Sequence, residues 1–193
     1  MSGSPFFAVL SRMKYINRWG LMRNSRNENL AEHSLEVAFI AHALAVIRNR
    51  RFGGSADTGR VLTAALYHDS CEILTGDLPT PVKYRNEAIK NAYKNIETLS
   101  TRRLLDLLPE DILPDFEESL ICPDSETAAL VKAADKISAL IKCLEEERMG
   151  NSDFSCAQAT IKATLEASPL PEVGVFIAEF LPSYGMTLDD MLE

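Results

Sequence analysis

Apolar residues return every three or four positions along most of this chain, and no segment alternates apolar with polar residues convincingly over the length of a strand. That single periodicity restricts the fold to packed helices, an all-α domain. A long helix is expected to start at Asn29-Leu30-Ala31-Glu32, an N-cap with Glu at the third position as in a capping box. It runs to about Arg50 and stops at Phe52-Gly53-Gly54, with an inward stripe Val37, Ile40, Leu44, Ile47. The next helix begins near Asp57 and extends to Gly76, followed by the rigid two-proline loop Asp77-Leu78-Pro79-Thr80-Pro81. Asn86 to Leu108 reads as a helix with a stripe at Ile89, Tyr93, Ile96 and Leu99, broken by Pro109, and Asp111–Leu120 as a weaker one. Ser125–Met149 is strongly helical, with a core stripe Leu130, Ala134, Ile137, Ile141, Leu144 and Gly150 just past its end. Ser152–Ala167 and Val173–Phe180 complete the set. Repeats, low-complexity tracts and interdomain linkers are absent, so residues 1–193 read as a single domain.

The bulk chemistry narrows the function classes. A chain of 193 residues, 46% hydrophobic and 25% charged, can bury an ordinary globular core. Its net charge of −8 argues against affinity for nucleic acid polymers. No stretch approaches the roughly 20 apolar residues of a membrane span, and no signal-peptide pattern opens the chain, so the expectation is a cytoplasmic protein. Cys71, Cys122, Cys143 and Cys156 lack CxxC spacing and read as reduced core thiols.

Against that acidic average, the five basic residues between Arg12 and Arg26 (Arg12, Lys14, Arg18, Arg23, Arg26) stand without an acidic neighbour. They form either a solvated positive face or a receptor for a small anion such as phosphate, which suits arginine's planar, bidentate contacts. Trp19, the only Trp, adjoins Arg18 and either belongs to the core or stacks on a base or sugar.

The chemistry concentrates in Tyr67-His68-Asp69-Ser70-Cys71-Glu72, which follows the apolar run Val61–Leu66. Ionisable groups on such a helix are costly to bury unless paired or bound to metal. On a regular helix Asp69 lies about 100° round from His68, and Glu72 falls between them at about 40°. His68 and Asp69 can then reach a common divalent ion, with Glu72 placed one turn on to hold water beside it. His33 opens the stripe of the first long helix and is either a satisfied core residue or a ligand. His42 lies about 180° away and cannot share its site, so it is assigned a structural role. Asp135 interrupts Lys132-Ala133-Ala134-Asp135-Lys136, where it either pairs with a lysine or meets an ion.

The set His33, His68-Asp69 and Asp135 resembles the metal-binding pattern of the HD-domain phosphohydrolase superfamily. The runs Asn17-Arg18-Trp19, Glu32-His33-Ser34, His68 through the TGDLPTPVKY segment to Tyr84, and Lys132–Asp135 through Lys142–Glu146 look more closely like the bacterial 5′-deoxynucleotidases. The likeness spans Phe6 to about Leu188. Its departures fall at the ends and in loops, such as Ser2-Gly3-Ser4 and Ser168–Val173, and none touches the motif.

The resemblance implies an all-α, homodimeric enzyme that removes phosphate from deoxyribonucleoside 5′-monophosphates with one divalent ion, cobalt, manganese or similar. His33, His68, Asp69 and Asp135 would be its ligands, a mixed N/O set that suits several ions. Arg18 would hold the phosphate and Trp19 pack on the sugar. Asp77, Leu78, Pro79 and Thr80 would close over the nucleoside, and His33 would also belong to the substrate-binding set. Glu72 would act on the attacking water, and Asp77 is a candidate to protonate the departing 5′-oxygen. The alternatives are another HD activity, on phosphodiesters or nucleoside triphosphates, and a non-catalytic nucleotide sensor.

Overall fold

In the computed structural model, which describes residues 3–121 and 124–193, the protein is all-α. Its helices in chain order are α1 (Phe6–Leu10), α2 (Leu30–Arg51), α3 (Thr58–Tyr67), α4 (Glu72–Thr75), α5 (Thr80–Lys83), α6 (Glu87–Leu105), α7 (Leu113–Leu120), α8 (Ser125–Arg148), α9 (Ser155–Glu166), α10 (Pro171–Glu179) and α11 (Leu188–Leu192). Among the described residues there is no strand, only an isolated antiparallel bridge between Asn17 and Asn29. Ser2 and Cys122, noted above, lie outside the described residues.

The helix starts obey local side-chain chemistry. Asn29, Asp57, Asn86 and Asp124 each accept backbone amides from the first turn they precede, which satisfies donors that a helix N-terminus leaves without partners. The capping box at Asn29 is incomplete, because Glu32 turns outward and lies 3.6 Å from Arg26. At the other end of α8, Gly150 adopts φ 77°, the left-handed conformation that glycine reaches without a side-chain clash.

The core is built on α2, α3 and α8. Val37, Ala41 and Leu44 of α2 meet Val61 and Ala65 of α3 and Leu130, Ala134 and Ile137 of α8, all fully buried, and α9 and α10 cover the far side. Leu144 lies half-buried at the edge of this core. By length and hydropathy alone α2 could cross a membrane, contrary to the expectation from sequence, but its apolar surface lines the protein core. Its outward stripe Leu35, Phe39 and Val46 is exposed. A second cluster joins Phe6 of α1 to Leu104, Leu105 and Leu108.

Three further expectations need correction. The α6 stripe is rotated: Tyr93, Ser100, Leu104 and Leu105 are buried, whereas Ile96 and Leu99 are exposed. Helix α6 packs on the short α4 and α5 near one end and on α1 and α7 near the other, which leaves its middle uncovered. Cys71 and Cys143 are buried free thiols, but Cys156 is exposed and is no core residue. The third correction falls at the His-Asp pair, where α3 ends at Tyr67 instead of continuing to Gly76.

Candidate metal centre

Past Tyr67 the backbone tightens into turns bonded three residues apart, with Ser70 N–H donating to the Tyr67 carbonyl at 3.0 Å and Glu72 N–H to Asp69 at 3.0 Å. The Ala65 carbonyl, in the last turn where helix acceptors run out of amides, takes the Nδ1–H of His68 at 2.8 Å. That bond commits Nδ1 as a donor and leaves His68 Nε2 as the nitrogen that can offer its lone pair to a cation in exchange for a proton. The regular-helix angles between His68, Asp69 and Glu72 therefore do not carry over to this turn.

Two other elements close on this turn. His33, in the first turns of α2, is 1% exposed. Its Nε2 stands 3.2 Å from Asp135 Oδ1 on α8 and 3.6 Å from Asp69 Oδ2. Ligand atoms of His33, His68 and Asp135 lie within 4.8 Å of one another. Asp69 stands beside them, its Oδ2 3.1 Å from His68 Nε2. The Nε2 atoms of both histidines are buried and lack a partner in hydrogen-bond geometry. Two orphaned imidazole nitrogens facing carboxylates match the donor chemistry of a divalent ion such as zinc, manganese or cobalt. Asp135 is therefore drawn to the histidines and not to Lys132 or Lys136, while His42 is exposed on the opposite face of α2, without a structural role in the core.

Of the five basic residues near the N-terminus, only Arg18 turns into the site. Arg12 and Lys14 lie over the Tyr15 ring, Arg23 pairs with Asp153 and Arg26 with Glu32. Arg18 contacts Asp69 at 3.2 Å, Glu28 at 3.3 Å and Asp135 at 3.9 Å. Burial would lower its pKa, but the carboxylates of Asp69, Asp135, Glu28 and Asp77 together raise it. Trp19 has φ 59°, the one non-glycine residue in the left-handed region among the described residues. Such a conformation costs roughly 1–2 kcal/mol and needs support from its surroundings. Here the indole N–H donates to Glu28 at 2.9 Å and the ring packs on Phe154 at 5.2 Å between centroids.

The electrostatics separate the carboxyl groups. Burial would lift Asp69, but His68, His33 and Arg18 hold it well below the usual carboxylate range. Burial would likewise depress His68, and the adjoining Asp69 carboxylate overcomes it and raises the imidazole to about 9. Glu72 is 5% exposed, and burial reinforced by Asp69 and Asp77 pushes it up to about 9. Its Oε2 has no hydrogen-bond partner. Asp77 is also raised, by burial first and by Asp69, against the pull of Arg18 and the Trp19 amide.

The loop that carries Asp77, Leu78 and Pro79 leaves α4 through Gly76, whose φ of 73° turns the chain. Tyr93 of α6 donates its hydroxyl hydrogen to the Gly76 carbonyl at 3.1 Å. Leu78 and Pro79 are half-buried beside Asp77, and Thr80 is exposed at the start of α5.

Some contributors were not singled out in the sequence. Glu28 receives both Trp19 and Arg18, and nothing in its local sequence marks it. Ser138 and Glu36 form a hydrogen-bonded pair behind His33, and burial pushes the Glu36 carboxyl up to about 7. Their signal was available: each lies three residues after a candidate ligand, on the same helix face.

Comparisons with known proteins identify the family of the chain. A family model described as 5′-deoxynucleotidase YfbR-like matches residues 5–184. The 5′-deoxynucleotidase of Vibrio cholerae serotype O1 is 49% identical over 193 residues, covering 99% of this chain and 100% of that one. The enzyme of the same name from Pectobacterium atrosepticum is 47% identical over 195 residues, covering 99% and 97%. Among solved structures, an HD-domain phosphohydrolase from Listeria innocua superposes with a TM-score of 0.80 at 25% identity, over 93% of this chain and 87% of that one. The HD phosphohydrolase of cyanophage S-2L, solved with dA and one catalytic Zn2+ ion, shares the fold at a TM-score of 0.62 and 21% identity, over 93% and 96%. Matched by the family model over residues 5–184 and nearly end to end by these relatives, the chain belongs to the YfbR-like 5′-deoxynucleotidase family.

Proposed function

We propose that this protein is a 5′-deoxynucleotidase, hydrolysing deoxyribonucleoside 5′-monophosphates to deoxyribonucleoside and phosphate with one divalent ion. The observation that carries the reading is the pair of buried, unpartnered Nε2 atoms of His33 and His68 facing Asp135 and Asp69. These four side chains would hold the ion. Bound there, the ion supplies Lewis acidity toward the phosphoryl group and the attacking water.

The remaining steps fall to the chain's own residues. Glu72 orients the water and takes its proton; a carboxyl whose pKa burial has raised is a strong base once a nearby cation favours its ionised form. Arg18 exchanges its carboxylate partners for the phosphate and neutralises charge on the group in flight. Asp77 is the candidate to protonate the departing 5′-oxygen, a role that suits a carboxyl held above its ordinary range. Trp19 packs on the sugar, and Leu78, Pro79 and Thr80 close over the nucleoside beside His33.

Several broader assignments belong to the same proposal. Residues 1–193 act as one HD domain. The protein works in the cytoplasm, in keeping with the buried free thiols of Cys71 and Cys143. It forms a homodimer, for which the exposed apolar stripe Leu35, Phe39 and Val46 on α2 offers a surface to cover. Nucleic acid polymers are not its substrates, since the chain carries a net charge of −8 and Arg18 alone of the N-terminal basic set enters the site.

Phosphate release from a panel of deoxyribonucleotides, ribonucleotides, triphosphates and phosphodiesters tests the reading directly. Activity is expected on deoxyribonucleoside monophosphates, lost on chelation and restored by a divalent ion. Asp69→Ala and His68→Ala lose the metal, whereas His42→Ala retains it. Full turnover in excess chelator, after verified metal removal, would refute the mechanism.

A further inference from the structure

The two histidines of the centre are oriented by different means. His68 gives its Nδ1–H to a backbone carbonyl of its own helix at 2.8 Å. His33 instead has its Nδ1 3.1 Å from the hydroxyl of Ser138, which itself donates to Glu36 Oε2 at 2.5 Å. Ser138 is completely buried. Both members stand one turn beyond a candidate ligand, Glu36 after His33 on α2 and Ser138 after Asp135 on α8. The packing of α2 on α8 that brings Asp135 to His33 therefore also assembles this chain of hydrogen bonds.

We propose that Ser138 and Glu36 are positioning residues of the metal centre, a relay on the back of His33 that fixes its tautomer and ring orientation. The inference rests on the metal-site reading above. A serine hydroxyl has one hydrogen. With Glu36 ionised, that hydrogen is committed to its carboxylate and only oxygen lone pairs face His33, so Nδ1 carries the imidazole proton and Nε2 the lone pair. A cation at Nε2 requires that same direction. The neighbouring acceptor does not replace the relay: Glu28 Oε1 is 3.9 Å from Nδ1, and its Oε2 is taken by Trp19 and Arg18. Without Glu36 the hydroxyl can turn its hydrogen onto Nδ1 and favour the opposite tautomer, whose Nε2 is blocked by a proton. Partners of metal-bound histidines typically contribute 10–100-fold to metal affinity.

The test uses Co2+ alone, titrated into the metal-free full-length protein and followed by calorimetry and by the visible spectrum of the ion. Ser138→Ala is expected to weaken Co2+ binding 10–100-fold and to change the spectrum. Glu36→Ala, at a half-exposed position that spares the core, should weaken it by at least several-fold. Glu36→Gln, whose amide oxygen still accepts from the hydroxyl, should recover most of the loss. With only three histidines in the chain, imidazole nitrogen resonances can be assigned. Nuclear magnetic resonance should then show His33 protonated on Nδ1 in the intact protein and shifted from that form in Glu36→Ala. Co2+ affinity within twofold of the intact protein in both alanine variants, with the His33 tautomer unchanged, would overturn the relay. His33→Ala separates the two levels: if it keeps full Co2+ affinity, the metal-site reading itself fails.

Discussion

Replacing Glu146 with alanine should loosen the loop that delivers Arg18 and Trp19 to the site. Glu146 is 1% exposed. Its carboxylate accepts the Ser25 amide at 2.8 Å, the Arg26 amide at 3.4 Å, the Asn151 side-chain amide at 2.7 Å and the Lys142 ammonium. Lys142 is itself 5% exposed and also donates to the Arg26 carbonyl at 2.6 Å. The pair thus clamps residues 25 and 26 onto α8. Each hydrogen bond to a charged group is worth about 1.5–3 kcal/mol, and removing one partner of a buried ion pair costs about 3–5 kcal/mol because the other charge is stranded. We expect a loss of about 4 kcal/mol in urea unfolding. The single tryptophan, seated in the clamped loop, should also show altered fluorescence before global unfolding begins. KM for a deoxyribonucleoside monophosphate should rise because Arg18 is no longer held in place. The double replacement Lys142→Met with Glu146→Leu strands no charge and should recover part of the stability, the rest staying lost with the unpartnered Ser25 and Arg26 amides. A loss below about 1 kcal/mol for Glu146→Ala, by the same yardstick, would show that the clamp reasoning is wrong.

Other expectations follow from the same geometry. Glu72→Ala should retain the metal and bind nucleotide while turnover falls by roughly 100-fold or more; loss of metal in this variant would make Glu72 a ligand. Trp19→Ala should narrow the preference for deoxyribose over ribose, which we place at about 5–150-fold in kcat/KM from the roughly 1–3 kcal/mol cost of burying an unpartnered 2′-hydroxyl, whereas Arg18→Ala should weaken both sugars alike. Equal rates of the intact protein on matched ribo- and deoxyribonucleotides would remove Trp19 from that role. Glu146 also predicts an acid limb of stability. Burial opposes its charge, yet Lys142, Asn151 and Ser25 hold it down to about 2 from the ordinary 4.5. The stabilisation it contributes is therefore complete above about pH 4.5 and is lost as pH falls toward about 2. Unfolding measured between pH 5 and pH 3 should decline less steeply in Glu146→Gln than in the intact protein.

Much of this molecule was legible in its residues because the relevant forces act locally. Capping side chains at Asn29, Asp57, Asn86 and Asp124 start their helices through bonds to amides two or three residues away. The stripe from Val37 to Ile47 on α2 and that from Leu130 to Ile141 on α8 carry their burial in their spacing. The candidate ligands were visible for a related reason: His68 and Asp69 are adjacent, and ionisable groups in apolar helices need partners wherever the chain goes. Tertiary packing decided what spacing cannot encode. Which of five basic residues enters the site depends on Glu28, Asp69 and Asp135 converging on Arg18 from three separate segments. Helix α6 turned its face because short helices cover only its ends, so Ile96 and Leu99 stay exposed despite their helical period. The turn at His68 left the regular helix where its own imidazole took the Ala65 carbonyl. Ser138 met Glu36 and His33 only through the contact of α2 with α8, since Ser138 and Glu36 lie 102 residues apart in the chain.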